Sequence, residues 1–167
     1  MKGLRSVLFG MHNPIIHGFL VSIAWKKIYQ ETPNFKEFVC ILLHDIGYIE
    51  QNFIDGKNDR HPELGAKICG RLFGKNYYIL CITHSRYYAK KLGLPLSRLG
   101  YADKYSVLLI PNLIYKPLIY LGGEAQEYHK TTKTKKWGYP INTKLIKTEY
   151  YNWWLKNGVI IKKKKSD

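Results

Sequence analysis

The sequence predicts an all-α protein, and three observations support that fold class. Apolar residues recur at helical spacing over most of the chain, no long stretch alternates between apolar and polar residues, and Pro or Gly residues separate the helical segments. The chain has 167 residues, enough for one domain with a substantial core. Its composition, 46% apolar and 23% charged, is typical of a globular protein.

The first two predicted helices cover residues 14–30 and about 35–45. Pro14 suits the opening turn of the first helix, and apolar side chains then recur every three or four residues. The sequence Thr-Pro-Asn at 32–34 interrupts this pattern. The second helix carries an apolar run that continues into His44 and Asp45 at its carboxyl end.

Three further helices complete the predicted core. A polar loop at 51–60 precedes the third helix, which covers 61–73 and has a proline suited to its first turn. The fourth and fifth helices are predicted at about 76–90 and 96–110. Gly and Pro residues lie between them, and another proline ends the fifth.

The chain changes character after residue 112. A helix broken by Gly122 and Gly123 is predicted over 118–128, a basic loop over 130–140, and a last helix rich in Tyr and Trp over 141–157. We therefore predict a helical core at 1–112. The remaining residues, 113–167, are predicted to form a C-terminal extension that packs on the core and ends in a basic tail.

The charge of the chain favours an anionic partner. Lys and Arg total 27 against 12 Asp and Glu, which gives a net charge of +15. This excess fits a nucleotide, a nucleic acid or an acidic membrane surface and does not choose among them. Part of it lies in the tail, in the lysines at 162–165.

The cysteines and the apolar runs indicate a cytoplasmic protein. Cys40, Cys69 and Cys81 are odd in number and lie in apolar stretches, so we expect reduced thiols in the core and no disulfide scaffold. The N-terminal apolar run is short and interrupted, unlike a secretory signal. No apolar run approaches the ~20 residues that span a bilayer, so no membrane span is expected.

Six residues with metal-binding side chains are distributed over the predicted core helices. They are His17, His44, Asp45, His61, His84 and Asp103. His84 is expected within the fourth helix and Asp103 within the fifth. The adjacent pair His44 and Asp45 follows an apolar run, and a buried aspartate is unfavourable unless it is paired or bound to a metal. Imidazole and carboxylate ligands suit Mn, Fe, Co, Ni, Zn or Mg, and the sequence leaves open which ion binds and whether one or two do.

The order of these residues resembles the H…HD…D signature of the HD-domain superfamily, carried here by His17, the pair His44 and Asp45, and Asp103. The local sequences LLHDIGY (42–48), HPELGA (61–66), THSR (83–86) and YADK (101–104) fit the same family. The extra histidines, His61 and His84, resemble those of HD subfamilies with two metals. Examples are the HD-GYP phosphodiesterases and the HD-type symmetrical diadenosine-tetraphosphate hydrolases. The likeness covers about residues 12–110, and the GYP sequence itself is absent.

The resemblance implies that the core at 1–112 is an HD-type metal-binding catalytic core, and that the chain is a metal-dependent phosphohydrolase with an all-helical fold. Such an enzyme cleaves a phosphoester or phosphoanhydride bond of an anionic phosphorylated small molecule, and a nucleotide is the expected substrate. Residues His17, His44, Asp45 and Asp103 would bind one divalent transition metal. His61 and His84 would bind a second, with Asp45 as the bridge.

Basic residues beside the predicted ligands are candidates for binding the phosphate. The predicted catalytic residues are Asp45, Arg86 and Lys104. Arg86 follows His84 by two residues and Lys104 directly follows Asp103, so both basic groups lie close to predicted ligands. Lys104 has an alternative role as the partner of a ligand carboxylate. Arg60 is a further phosphate candidate, and Glu63 is expected either to orient His61 or to serve as a favourable acid in a first helical turn. His12 and His129 have no supporting neighbours in the sequence.

Two other functions remain open at this level. A few HD-like proteins are di-iron oxygenases, and the six ligands would serve iron equally well. Alternatively, the alternation of Lys with Tyr and Trp over 144–156 would suit a nucleic-acid-binding module, whose aromatic side chains stack on bases. The same aromatic residues also fit packing of the last helix on the core. The oligomeric state is open as well.

Overall fold

The computed structural model describes residues 2–51, 60–125 and 143–157, and this part of the chain confirms the all-α fold class. It contains nine α-helices and one short 3-10 helix, without a strand. The α-helices are α1 (Lys2–Phe9), α2 (Pro14–Tyr29), α3 (Phe35–Leu43), α4 (His61–Phe73), α5 (Lys75–Ile82), α6 (Arg86–Lys91), α7 (Arg98–Leu109), α8 (Asn112–Leu121) and α9 (Thr143–Asn157). The 3-10 helix (Ile46–Glu50) follows α3.

Short polar side chains fix where several helices begin. The Asn13 side chain accepts hydrogen bonds from two backbone N–H groups in the first turn of α2. Asn34 and Glu37 form a reciprocal capping box at the start of α3, with N···O distances of 2.8 and 3.0 Å. Ser97 caps α7 in a similar way. These bonds satisfy N–H groups that a helix leaves unpaired at its first turn.

The main core lies between α2, α3, α4, α5 and α7. Its buried members are Val21, Ala24, Trp25, Ile28, Cys40, Ile41, Ala66, Cys69, Cys81, Ile82, Tyr88, Leu99 and Ala102. Helices α2 and α7 run antiparallel, because His17 near the start of α2 lies beside Asp103, whereas Tyr29 at its end bonds to the Arg98 carbonyl. This pairing brings the metal-competent side chains of both helices to the same place.

A second core cluster joins the C-terminal helices to the rest of the molecule. It contains Met11, Val107, Ile110, Tyr115, Leu118, Ile119, Ala125 and Ile146, so α8 and α9 pack against the α1–α2 corner and the end of α7. In α9, Trp154 also packs on the main core and lies 5.0 Å from the Tyr105 ring. The aromatic side chains of the last helix therefore contribute to packing.

Several predicted boundaries are wrong. The helix expected at 76–90 is two helices, because the chain turns at 83–85 between α5 and α6. The helix expected from residue 118 begins earlier, at Asn112, and ends at Leu121, so the predicted break at Gly122 and Gly123 is confirmed; Gly123 has a φ of +76°. Residues 126–128 lie outside the described residues. Helix α1 was absent from the prediction. The predicted loop at 130–140, the lysines at 162–165 and His129 lie outside the described residues.

A helix that crosses a membrane must be both long and apolar. Of the helices in the described ranges, none is both long and apolar enough to cross a membrane by itself. Helices α1 and α2 pass the length and composition test together, with a bend of 65° between them.

Candidate metal centre

The structure brings the six predicted ligands together around Asp45. The Asp45 Oδ2 atom lies 3.4 Å from His17 Nε2 and 3.3 Å from His44 Nε2. The other carboxylate oxygen, Oδ1, lies 3.4 Å from His61 Nε2 and 3.3 Å from His84 Nε2. Each oxygen of Asp45 therefore faces a different pair of histidines.

Asp103 completes the first of these two groups. Its Oδ1 atom lies 3.1 Å from His17 Nε2. The ligand atoms of His17, His44, Asp45 and Asp103 all lie within 4.8 Å of one another, as do those of Asp45, His61 and His84. All six residues are buried.

Two of the ligand histidines lie just beyond helix ends, which corrects the prediction that placed them in helices. Helix α3 ends at Leu43, so His44 is its C-terminal cap and Asp45 precedes the 3-10 helix. His84 lies in the turn after α5. The His44 Nδ1 atom bonds to the Ile41 carbonyl at 2.7 Å, and His84 Nδ1 bonds to the Cys81 carbonyl at 2.6 Å. Since a carbonyl only accepts, these bonds place a proton on each Nδ1 and leave Nε2 facing the cluster.

Two glycines allow α4 to approach the chain that carries His44 and Asp45. A Cβ atom at Gly47 would lie 2.2 Å from the His61 carbonyl oxygen. A Cβ atom at Gly65 would lie equally close, 2.2 Å, to the Leu43 carbonyl oxygen. Because such contacts are far below van der Waals separation, only glycine fits at both positions. The close packing holds His61 against Asp45.

The donor set fits divalent metal ions. Ligand atoms about 2.1 Å from an ion are separated by about 3.0 Å in octahedral and about 3.4 Å in tetrahedral coordination. The separations of 3.1–3.4 Å around Asp45 match this range. In addition, His17 Nε2 and His44 Nε2 are buried and make no hydrogen bond, although carboxylate oxygens lie 3.1–3.4 Å away. Buried polar atoms rarely lack a partner, so these nitrogens are suited to an ion.

The carboxyl groups are strongly favoured in their charged form. Burial by itself would raise the pKa of Asp45, but His44 and His84 hold that pKa well below its usual range. Burial likewise opposes ionisation of Asp103, and Lys104 and His17 hold its pKa low. Burial is the main cause that lowers the pKa of His84 to about 4. Charged aspartates and a neutral His84 are the protonation states that metal binding requires.

The predicted basic residues have partners of their own. The Lys104 ammonium lies 2.5 Å from Asp103 Oδ2, the alternative that the sequence left open. The Arg86 guanidinium lies over the Trp153 ring, 5.5 Å from its centroid. The roles of Lys104 and Arg86 in catalysis remain predictions.

The Glu63 carboxylate links α4 to α6. It accepts hydrogen bonds from Arg60, at 2.8 Å, and from the Tyr88 hydroxyl, at 2.5 Å. These bonds lower the pKa of Glu63 to about 2. Arg60, a phosphate candidate from the sequence, is therefore engaged with Glu63.

The sequence analysis missed two residues beside the centre, His12 and Glu124. His12 Nε2 lies 4.0 Å from Asp45 Oδ2, and its Nδ1 lies 2.7 Å from Ser6 Oγ and 3.4 Å from Glu124. Ser6 in turn donates to Glu124, which is fully buried and also accepts from the Met11 N–H. Burial opposes the charged form of His12, but Glu124 prevails and raises the pKa of His12 to about 9. One sequence signal was available: Glu124 is the first acidic residue after a long apolar stretch.

The three cysteines form a separate group. Cys40, Cys69 and Cys81 are free thiols, and all are buried in the main core, as expected. Their sulfur atoms lie within 4.8 Å of one another and could also hold a metal ion. They do not join either group of histidine and aspartate ligands.

No protein-family model matches this chain, and neither a curated protein nor a solved structure matches it.

Proposed function

We propose that this protein is a metal-dependent phosphohydrolase of the HD type that cleaves a phosphoester or phosphoanhydride bond of a nucleotide. The observation that carries the proposal is the position of Asp45, whose two oxygens face two separate pairs of histidines. A carboxylate in that position is suited to bridge two divalent ions. Enzymes with paired ions of this kind typically hydrolyse phosphate esters.

The residues of the chain would hold two ions and orient the substrate between them. His17, His44, Asp45 and Asp103 would hold one ion, and Asp45, His61 and His84 the other. Bound divalent ions supply a water of lowered pKa and neutralise charge on the phosphate. Mn, Fe, Co, Ni and Zn all fit this donor set, and Mg fits its carboxylates.

Charged side chains of the protein support the same chemistry. Lys104 keeps Asp103 ionised and adds a positive charge beside the centre. His12, held by Ser6 and Glu124, presents Nε2 next to Asp45, where it can hydrogen-bond to a phosphate oxygen. Phosphoryl transfer depends mainly on such positioning and charge stabilisation. The net charge of +15 favours the approach of an anionic substrate.

A di-iron oxygenase is the competing function for the same ligands. The positive charge beside the centre favours phosphate chemistry over oxygen activation, since an uncharged O₂ molecule gains nothing from it. No comparable observation favours a nucleic-acid-binding module, because Trp153 and Trp154 of α9 contact Arg86 and Tyr105.

The test is a nucleotide screen of the purified protein with Mn, Co, Ni, Fe, Zn and Mg supplied in turn. We expect phosphate or nucleotide release with at least one ion and none with Asp45→Asn, a nearly isosteric change. Glu149→Gln, a matched change on α9, should retain activity. Oxygen uptake with an Fe-loaded sample, without hydrolysis of any nucleotide, would contradict the proposal.

The contribution of the two basic residues is tested on the best substrate. Arg86→Ala and Lys104→Ala should each lower kcat/KM, and the split between kcat and KM shows whether the group acts in the transition state or in binding alone. If the Lys104→Ala variant loses metal, the role of Lys104 is to keep Asp103 charged and in position.

A further inference from the structure

The neighbouring helices α1, α2 and α8 expose large apolar side chains, which together we call the apolar patch. Its members are Leu8, Phe9, Ile15, Ile16, Phe19, Leu113, Ile114 and Leu121. The fractional exposures of Ile15, Phe19 and Leu113 are 78%, 65% and 86%. Single exposed apolar side chains are common on soluble proteins, whereas a concentration of this kind marks an interaction surface.

The two chain segments that form the apolar patch lie side by side. The backbones of Gly10 and Gly122 are in close contact, because a Cβ atom at Gly10 would lie 2.6 Å from the Gly122 Cα. The Arg5 guanidinium donates to the Leu121 carbonyl at 3.3 Å. Met11 is buried in the same cluster as the inner face of α8. The corner between α1 and α2 therefore packs against the C-terminal end of α8.

The segments that carry the apolar patch are basic. Residues 1–30 and 104–123 contain no Asp or Glu, while Arg5 and Lys116 are exposed within the same segments. Two copies of this basic surface would repel each other, which opposes a dimer through the apolar patch. Apolar side chains accompanied by basic groups are the combination that binds anionic lipid surfaces.

The packing of α2 limits how deeply the segment enters a bilayer. One face of α2, which carries His17, Val21, Ala24 and Trp25, is buried in the protein. Helices α1 and α2 are also bent by 65° relative to each other. The outer side chains can therefore reach the lipid interface while the helices stay in the protein.

We propose that the apolar patch docks on the surface of an anionic lipid bilayer. The apolar side chains enter the boundary between headgroups and acyl chains, and Arg5 and Lys116 lie at the anionic headgroups. The metal centre lies behind the same corner, since His12 and His17 flank it, so docking would place the centre near the membrane surface. This proposal does not depend on the proposed function.

The test is co-sedimentation of the full chain with vesicles of phosphatidylcholine alone and of phosphatidylcholine mixed with phosphatidylserine. We expect binding to the mixed vesicles and little to the neutral ones. The triple variant Ile15→Ser, Phe19→Ser, Leu113→Ser should reduce binding about tenfold or more, since each change removes several buried methylene groups. The matched control is Phe35→Ser, Leu72→Ser, Leu155→Ser, which removes exposed apolar side chains elsewhere and should bind like the wild type.

Three results would overturn the proposal. One is no binding to either vesicle. Another is equal vesicle binding by the patch variant and the wild type, combined with loss of binding when the lysines at 162–165 are removed. Charge alone would then account for the binding. The third is a dimer in gel filtration that the patch variant converts to a monomer without any vesicle binding. Metal content and nucleotide hydrolysis are measured on the same samples, so failure of the enzymatic proposal is recognised separately.

Discussion

Replacement of Glu124 tests whether this buried acid, which is not one of the predicted metal ligands, stabilises the residues around the candidate metal centre. In the Glu124→Ala variant, the Met11 N–H and the Ser6 O–H lose their acceptor in the protein interior. Each unsatisfied donor costs about 1–3 kcal/mol. The sum, about 2–6 kcal/mol, agrees with the ~3–5 kcal/mol lost when one partner of a buried ion pair is removed. We therefore expect the free energy of unfolding to fall by about 3–5 kcal/mol.

A conservative change separates the shape of Glu124 from its charge. Glu124→Gln keeps an acceptor oxygen of similar position, so it should cost only about 1–2 kcal/mol, the difference between a charge-assisted and a neutral hydrogen bond. The same variant should lower the pKa of His12, because the charge that raises it is gone. Its rate of hydrolysis should then fall while its metal content stays unchanged.

Urea unfolding followed by circular dichroism measures the stability change, and Glu31→Ala is the matched control. Glu31 is an exposed acid paired with Arg98, and its removal should cost about 0–1 kcal/mol. If Glu124→Ala lies within about 0.5 kcal/mol of the control, the buried network does not stabilise the corner, and the reasoning is refuted.

Three further outcomes are expected from the same structure. Asp45→Ala should lose both ions and all hydrolysis while circular dichroism stays helical; metal analysis that finds two ions per chain would contradict the bridging position of Asp45. His61→Ala and His84→Ala should each lose one ion and keep the other, so an unchanged metal content in both variants would show a one-metal centre. Because the pKa of Glu63 is lowered from 4.5 to about 2, its stabilising contribution is complete above about pH 4.5 and disappears as the pH falls toward 2. The difference in free energy of unfolding between wild type and Glu63→Gln should therefore shrink as the pH falls from 5 to 3. A difference that stays constant would argue against the Arg60 and Tyr88 bonds. Glu31→Gln is the control.

The ligand set could be predicted from sequence because its members have few alternative explanations. The pair His44 and Asp45 directly follows an apolar helix, and burying an aspartate requires a partner. Helical periodicity then placed one metal-competent residue on each core segment. The structure brings all six residues together in two groups that could each hold a metal ion, and their role as ligands remains a prediction.

The surroundings of the centre depend on tertiary contacts that periodicity does not encode. His12 and Glu124 meet only because the end of α8 packs against the corner between α1 and α2, with Gly10 against Gly122. Local patterns report which face of a helix is apolar and do not report which distant loop lies beside it. The same limit explains why the bond between Glu63 and Tyr88 of α6 could not be predicted from the sequence.

The errors in the helix boundaries are themselves related to the site. His44 and His84 were placed in helices because apolar residues precede both, yet each lies just after a helix end. At a helix end the last carbonyl groups lack helical partners and accept bonds from side chains. The Nδ1–H groups of His44 and His84 use the Ile41 and Cys81 carbonyls in this way, and the bond turns each Nε2 toward Asp45. One hydrogen bond thus both caps the helix and orients the histidine toward the other candidate ligands.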